Sequence, residues 1–159
     1  MNPSFRIRAL PREHFEHLLS MDDRELAARG ARWVTVTEAP GFPCRVSLKD
    51  IPVGERVLLT PYIHHDVDSP YRASGPIFVH DRAEPVVPEV NEVPHLLLHR
   101  TLSLRAYDGD GTMRDAALCQ GGEVAATIGR MFLDDRIAYL HVHNAGAGCF
   151  NCRVDRAGA

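Results

Sequence analysis

The sequence predicts an α+β fold: a mainly antiparallel sheet with helices packed on one face, finished by a C-terminal β-hairpin. Three observations predict it. Short β-branched runs (RWVTVT, CRVSL, RVLLTPYIH and PIFVH) occupy the chain from Arg32 to Asp81 and are punctuated by Pro and Gly. TLSLRAY and TMRDAAL flank DGDG, a strong hairpin-turn signal. Helical spacing is confined to short stretches, of which the clearest lies between Gly122 and Leu133.

Taken in chain order, SFRIRA is the first strand. A helix then opens with Pro11 in its first turn and sets Phe15, Leu18 and Leu19 on one face. Ser20 with Asp23 resembles a capping box for a second short helix, and Gly30 stands where a left-handed residue would end it. The four β-branched runs follow. The segment RAEPVVPEVNEVPHLLLHR, with three prolines, reads as an irregular surface connection. The two strands around DGDG come next; that turn lacks the glycine and the closing glutamate of a calcium loop, with Met113 and Cys119 in those places. Val124, Ile128, Met131 and Phe132 then place one helix against the sheet. At 159 residues the chain is expected to form a single domain, 1–159, large enough to bury a core without disulfides.

Composition narrows the function classes. The formal charge is −3, Lys49 is the only lysine, and no basic run occurs, so the clustered positive face of a nucleic-acid binder is not expected. Arg6 and Arg8 interrupt what would be the apolar part of a secretory signal, and no segment has the length to span a bilayer. A cytoplasmic protein is expected, with its four cysteines as thiols.

The chemistry-bearing segment is IAYLHVHNAGAGCFNCRV, residues 137–154, with two histidines and two cysteines close together. Strand alternation puts Tyr139, His141 and His143 on one side and Ala138, Leu140 and Val142 on the other. Cys149, Asn151 and Arg153 likewise share a side opposite to Phe150, Cys152 and Val154. Matching the apolar faces across NAGAG sets Val142 opposite Phe150 and Leu140 opposite Cys152. His143 then opposes Cys149, His141 opposes Asn151, and Tyr139 opposes Arg153. Residues three apart on a strand face opposite ways, roughly 10 Å between Cα atoms. Cys152 therefore belongs to the core, and the C-x-x-C spacing is no zinc knuckle.

Three readings of the remaining polar face stay open. His141, His143 and Cys149 can hold zinc or another divalent transition metal with one position open, generating a nucleophile from water. Alternatively His143 deprotonates Cys149, the thiolate attacks an electrophilic carbon, and Asn151 orients the pair. The third reading is a solvated sheet face, or a non-catalytic binding or interaction module. Either functional reading makes the partner a small molecule or anion, bound by His141, Asn151 and Arg153. Tyr71 and Arg72, in the long connection DVDSPYRASGP, can complete such a site by holding a carboxylate or phosphate.

Arg105 extends the same face if its strand neighbours the hairpin. Strand alternation lets only one of His64 and His65 face the site, and both read as surface residues. Cys44, in phase with Val46 and Leu48, reads as buried. An exposed edge strand would allow a homo-oligomer.

In this order, the blocks GFPCRVSL, DSPYRASGPIFV, LSLRAYD and YLHVHNAGAGCFNCRV resemble a bacterial family catalogued as domain of unknown function 1203. The resemblance runs from the first strand almost to the C-terminus. It implies one domain in a bacterial cytosol, and it transfers no activity.

Overall fold

The computed structural model describes residues 2–158. Its strands form two antiparallel sheets. The larger contains β1 (Phe5–Arg8), β5 (Thr101–Tyr107), β6 (Met113–Gln120), β7 (Tyr139–Asn144) and β8 (Phe150–Arg156), in the order β1-β8-β7-β5-β6. The smaller contains β2 (Arg32–Thr35), β3 (Arg56–His65) and β4 (Ala73–His80), with β3 in the middle. The helices are short: α1 (Glu16–Leu19), α2 (Asp23–Ala27), α3 (His95–Leu98) and α4 (Val124–Met131). No helix among the described residues is long and apolar enough to cross a membrane.

Each sheet has its own core. On the larger, Leu102, Leu104, Leu140, Val142, Cys152 and Val154 alternate onto one face, and Val124, Ile128, Met131 and Phe132 of α4 and its end cover them. The smaller sheet buries Val57, Leu58, Ile77 and Val79 against Phe15, Leu18 and Leu26 from the first two helices. Fully burying such a side chain stabilises the fold by about 1.5–3 kcal/mol, so these faces fix which way every strand is turned. The polar face of the larger sheet points away from α4, toward the end of β3.

Several local expectations are refined. The cap of α2 is Asp22, whose carboxylate accepts the Glu25 amide at 2.8 Å, while the Ser20 hydroxyl donates back to the His17 carbonyl. Gly30 does adopt a left-handed conformation at the helix end, φ 72°. The DGDG turn closes on Asp108, which accepts the amides of Asp110 and Thr112 and pairs with Arg114. The proline-rich connection contains α3, whose Leu96 and Leu97 are buried.

CRVSL forms a turn rather than a strand. Cys44 makes a single parallel bridge to Phe78, and Leu48 has φ 51°. Cys44, Arg45, Val46, Ser47 and Leu48 are all buried, which strand alternation would not produce. The Cys44 sulfur accepts the amides of Ser47 at 3.5 Å and His80 at 3.3 Å, so its burial leaves backbone donors satisfied.

Candidate functional site

The terminal hairpin is longer than sequence matching suggested. The Asn144 amide bonds the Cys149 carbonyl at 2.9 Å and the Gly148 amide bonds the Asn144 carbonyl at 3.0 Å, with Gly148 at φ 83°. The register therefore moves by two residues: Val142 faces Cys152, Leu140 faces Val154, His141 faces Arg153, and Tyr139 faces Asp155. An even shift keeps the apolar faces together, so Cys152 enters the core as expected, and burial pushes its thiol up to about 12. Beyond Val142 the register changes. One step on β7 spans two on β8, and His143 faces Phe150. This bulge turns Phe150 onto the histidine face, where the sequence pattern had assigned it to the core side.

A second bulge brings in the opposite wall. Between Tyr62 and His65, three steps on β3 oppose two on β4. Strict alternation would send His64 and His65 to opposite sides; the extra residue lets both rings reach His141, at centroid separations of 6.0 and 5.0 Å. Neither is a free surface side chain: His65 is buried and His64 partly so.

The polar face is therefore covered by the other sheet. His141 is 2% exposed and His143 is fully buried, which rules out a solvated sheet face at these two positions. His64 stacks on Phe150, 5.3 Å between centroids at 5°, and meets His143 edge-on at 5.0 Å. Each of His64, His141 and His143 offers a nitrogen, all within 4.8 Å of one another. This group could hold a metal ion. Two of its members were expected as ligands; the third is His64, and Cys149 is not among them.

The three rings share one anomaly. His64 Nδ1, His141 Nδ1 and His143 Nε2 are buried with no hydrogen-bond partner. His143 Nδ1 donates to the Gly148 carbonyl at 2.8 Å, so the tautomer leaves the lone pair on that unpartnered Nε2. Burial is the largest influence holding all three rings neutral. It lowers His141 to about 2, helped by the other three histidines and Arg153, and His64 to about 4, helped by His65 and Arg105. His143 also falls to about 4, where burial outweighs the Gly148 carbonyl, which favours the proton. Neutral imidazole is the form that ligates metals.

His65 is different, since both its nitrogens are engaged. Nδ1 donates to the Tyr71 carbonyl at 2.8 Å, and Nε2 accepts the Tyr139 hydroxyl at 2.6 Å. Tyr71 thus reaches the site through its backbone, while its ring lies 6.4 Å from that of Tyr107. Arg72 is exposed and pairs with Asp66. Asn151 sits at the β8 bulge, donates to Asn144 Oδ1 at 2.7 Å, and keeps its own Oδ1 unpartnered. Arg153 lies over the Tyr139 ring at 4.1 Å and pairs with Asp155.

Cys149 occupies the turn, half-buried, near the Arg45 guanidinium. Arg45 is buried; its amide bonds the Phe78 carbonyl, Nε donates to the Phe150 carbonyl at 2.8 Å and NH1 to that of Pro43. Burial lowers it only to about 10, so it stays charged and ties the two sheets together beside the histidines.

Sequence reading missed Arg45, read His64 and His65 as surface residues, and placed Tyr139 on the histidine face without a role. The adjacent His64-His65 pair was visible, but the bulge that makes both useful has no local signal. Arg105 was foreseen conditionally. The condition holds, for β5 pairs with β7 and sets Ser103, Arg105 and Tyr107 beside His143, His141 and Tyr139.

The model of the family described as "Protein of unknown function (DUF1203)" matches residues 41–156. That span covers β3 to β8 and all three histidines of the group. No curated protein and no solved structure matches the chain.

Proposed function

The chain belongs to the DUF1203 family, whose description assigns no activity, and from the site alone we propose that it binds a divalent transition metal of the zinc class through His64, His141 and His143. The observation that carries this reading is the gathering of three histidines that each bring a ring nitrogen within 4.8 Å of the others' and that each keep a buried ring nitrogen without a partner. Leaving a buried polar atom without a partner costs about 1–3 kcal/mol. Three such atoms, on rings gathered at one place, make an arrangement that a shared occupant would relieve. A single proton shared among them would serve only two, and charge is disfavoured here by burial.

The donor set fits. Zinc–nitrogen distances of about 2.0–2.1 Å in a tetrahedron put the nitrogens about 3.4 Å apart, so nitrogens now within 4.8 Å of one another would close by modest ring rotation. The Gly148 carbonyl orients His143 as outer carbonyls orient metal-bound histidines. Three protein ligands leave a fourth position open, the pattern of catalytic rather than structural zinc. An ion so held supplies Lewis acidity to a water or carbonyl in that position, which makes hydrolysis of a small molecule in a bacterial cytosol the favoured activity.

The test is metal analysis of untagged protein, followed by equilibrium titration with zinc. One ion per chain is expected, and His64→Ala should weaken binding at least a hundredfold. Failure of the wild-type protein to hold zinc at micromolar concentration would sink the proposal.

A second reading keeps Cys149 as a nucleophile, because it is the half-buried cysteine and lies beside the charged Arg45. Its mark would be alkylation faster than that of a free thiol.

A further inference from the structure

We infer that the three-histidine site accepts a ligand carrying an oxyanion, a carboxylate or phosphate group, held by Arg105 beside the imidazoles. The inference rests on the metal reading for its full charge balance, though its geometry is independent of it.

Arg105 lies directly across from His141 on the neighbouring strand and on the same face. Its positive charge disfavours protonation of both His64 and His143, and it also engages the Tyr107 hydroxyl. Arg105, Ser103 and His64 are all only partly buried, and together they form the side of the site nearest solvent.

The two arginines flanking His141 are treated differently. Arg153 is neutralised by Asp155 at 2.7 Å, a carboxylate it shares with Arg8. Among the described residues no carboxylate forms an ion pair with Arg105, whereas eight other arginines have one. The Tyr107 hydroxyl next to it is a neutral partner. Three neutral imidazoles, a divalent ion and Arg105 would together carry three positive charges, with no acidic ligand in the set. A partly buried guanidinium fork that no carboxylate occupies is suited to two parallel bonds to a planar carboxylate or to two phosphate oxygens. A guanidinium merely solvated at the rim predicts no such binding.

The experiment is calorimetric titration of protein carrying one equivalent of zinc, with inorganic phosphate and with acetate as separate probes. At least one is expected to bind in the millimolar range or tighter, and the two arms distinguish a phosphate from a carboxylate ligand. Loss of charge-assisted bonds should make Arg105→Gln about ten- to a hundredfold weaker for that anion, while its zinc affinity changes less than threefold. Arg105→Lys, which keeps the charge but not the fork, should fall between the two. Zinc-loaded protein that binds neither anion, or an Arg105→Gln variant that binds as wild type does, overturns the inference. Should zinc fail to load, the same titration is made on metal-free protein: binding lost in Arg105→Gln upholds the anion site alone, and no binding refutes it.

Discussion

Acidification of metal-free protein from pH 7 to pH 5 should cost it about 4 kcal/mol of stability through His141 and His143 alone. The sign follows from where protons bind. Both rings are held below the ordinary value of 6.5, His141 at about 2 and His143 at about 4, chiefly by burial. Between those values and 6.5 the unfolded chain takes up protons that the folded chain refuses, so stability rises with pH through that window and is lost as pH falls. With an unfolded value of 6.5, each site contributes about 1.9 kcal/mol of loss between pH 7 and pH 5. The figure scarcely depends on how far below 5 the folded value lies, and mutual repulsion among the rings only lowers it further. His64 acts in the same direction, and its partial exposure softens its share. The assay is urea denaturation at the two pH values in the presence of a chelator, comparing wild type with His141→Gln and His143→Gln. Each variant should show a loss on acidification about 2 kcal/mol smaller than wild type. Equal losses in all three proteins would show that these imidazoles are protonated, or solvated, in the folded state.

Two further outcomes test the fold and the cysteine assignments. A Cβ on Gly121 would lie 2.0 Å from the Leu97 carbonyl oxygen and 2.5 Å from the Leu98 carbonyl carbon, both backbone, so Gly121→Ala should destabilise by about 3 kcal/mol or more, measured by thermal or urea unfolding; a change under 1 kcal/mol would mean α3 does not pack there. Under native conditions iodoacetamide should label Cys149 first, since Cys44, Cys119 and Cys152 are buried and burial raises the Cys152 thiol to about 12; mass spectrometry finding Cys152 modified at a similar rate would contradict its place in the core.

How much of this was legible beforehand varies by element. The DGDG hairpin and the α4 helix were readable because each rests on a pattern within a dozen residues, and the α+β class and the family resemblance because they add up several such short blocks in order. The placement of Cys152 in the core survived an incorrect register, because alternation sets faces by parity and an even shift preserves parity. CRVSL misled for the converse reason. Its alternation is real, but a turn wedged between two sheets buries every side chain, and nothing local distinguishes that from a strand.

What the sequence determined by itself is the set of chemically able residues on one face of the last hairpin, His141 and His143 among them, and the thiol that must turn inward. Only the tertiary structure decided that the third imidazole is His64, that His65 and Arg45 support the group, and that the face is enclosed rather than wet. Both decisive features are single extra residues, in β3 and in β8. Each bulge sits between consecutive strands, but its position is fixed by packing between the two sheets, which are distant in sequence, and so it leaves no periodic trace in the chain that carries it.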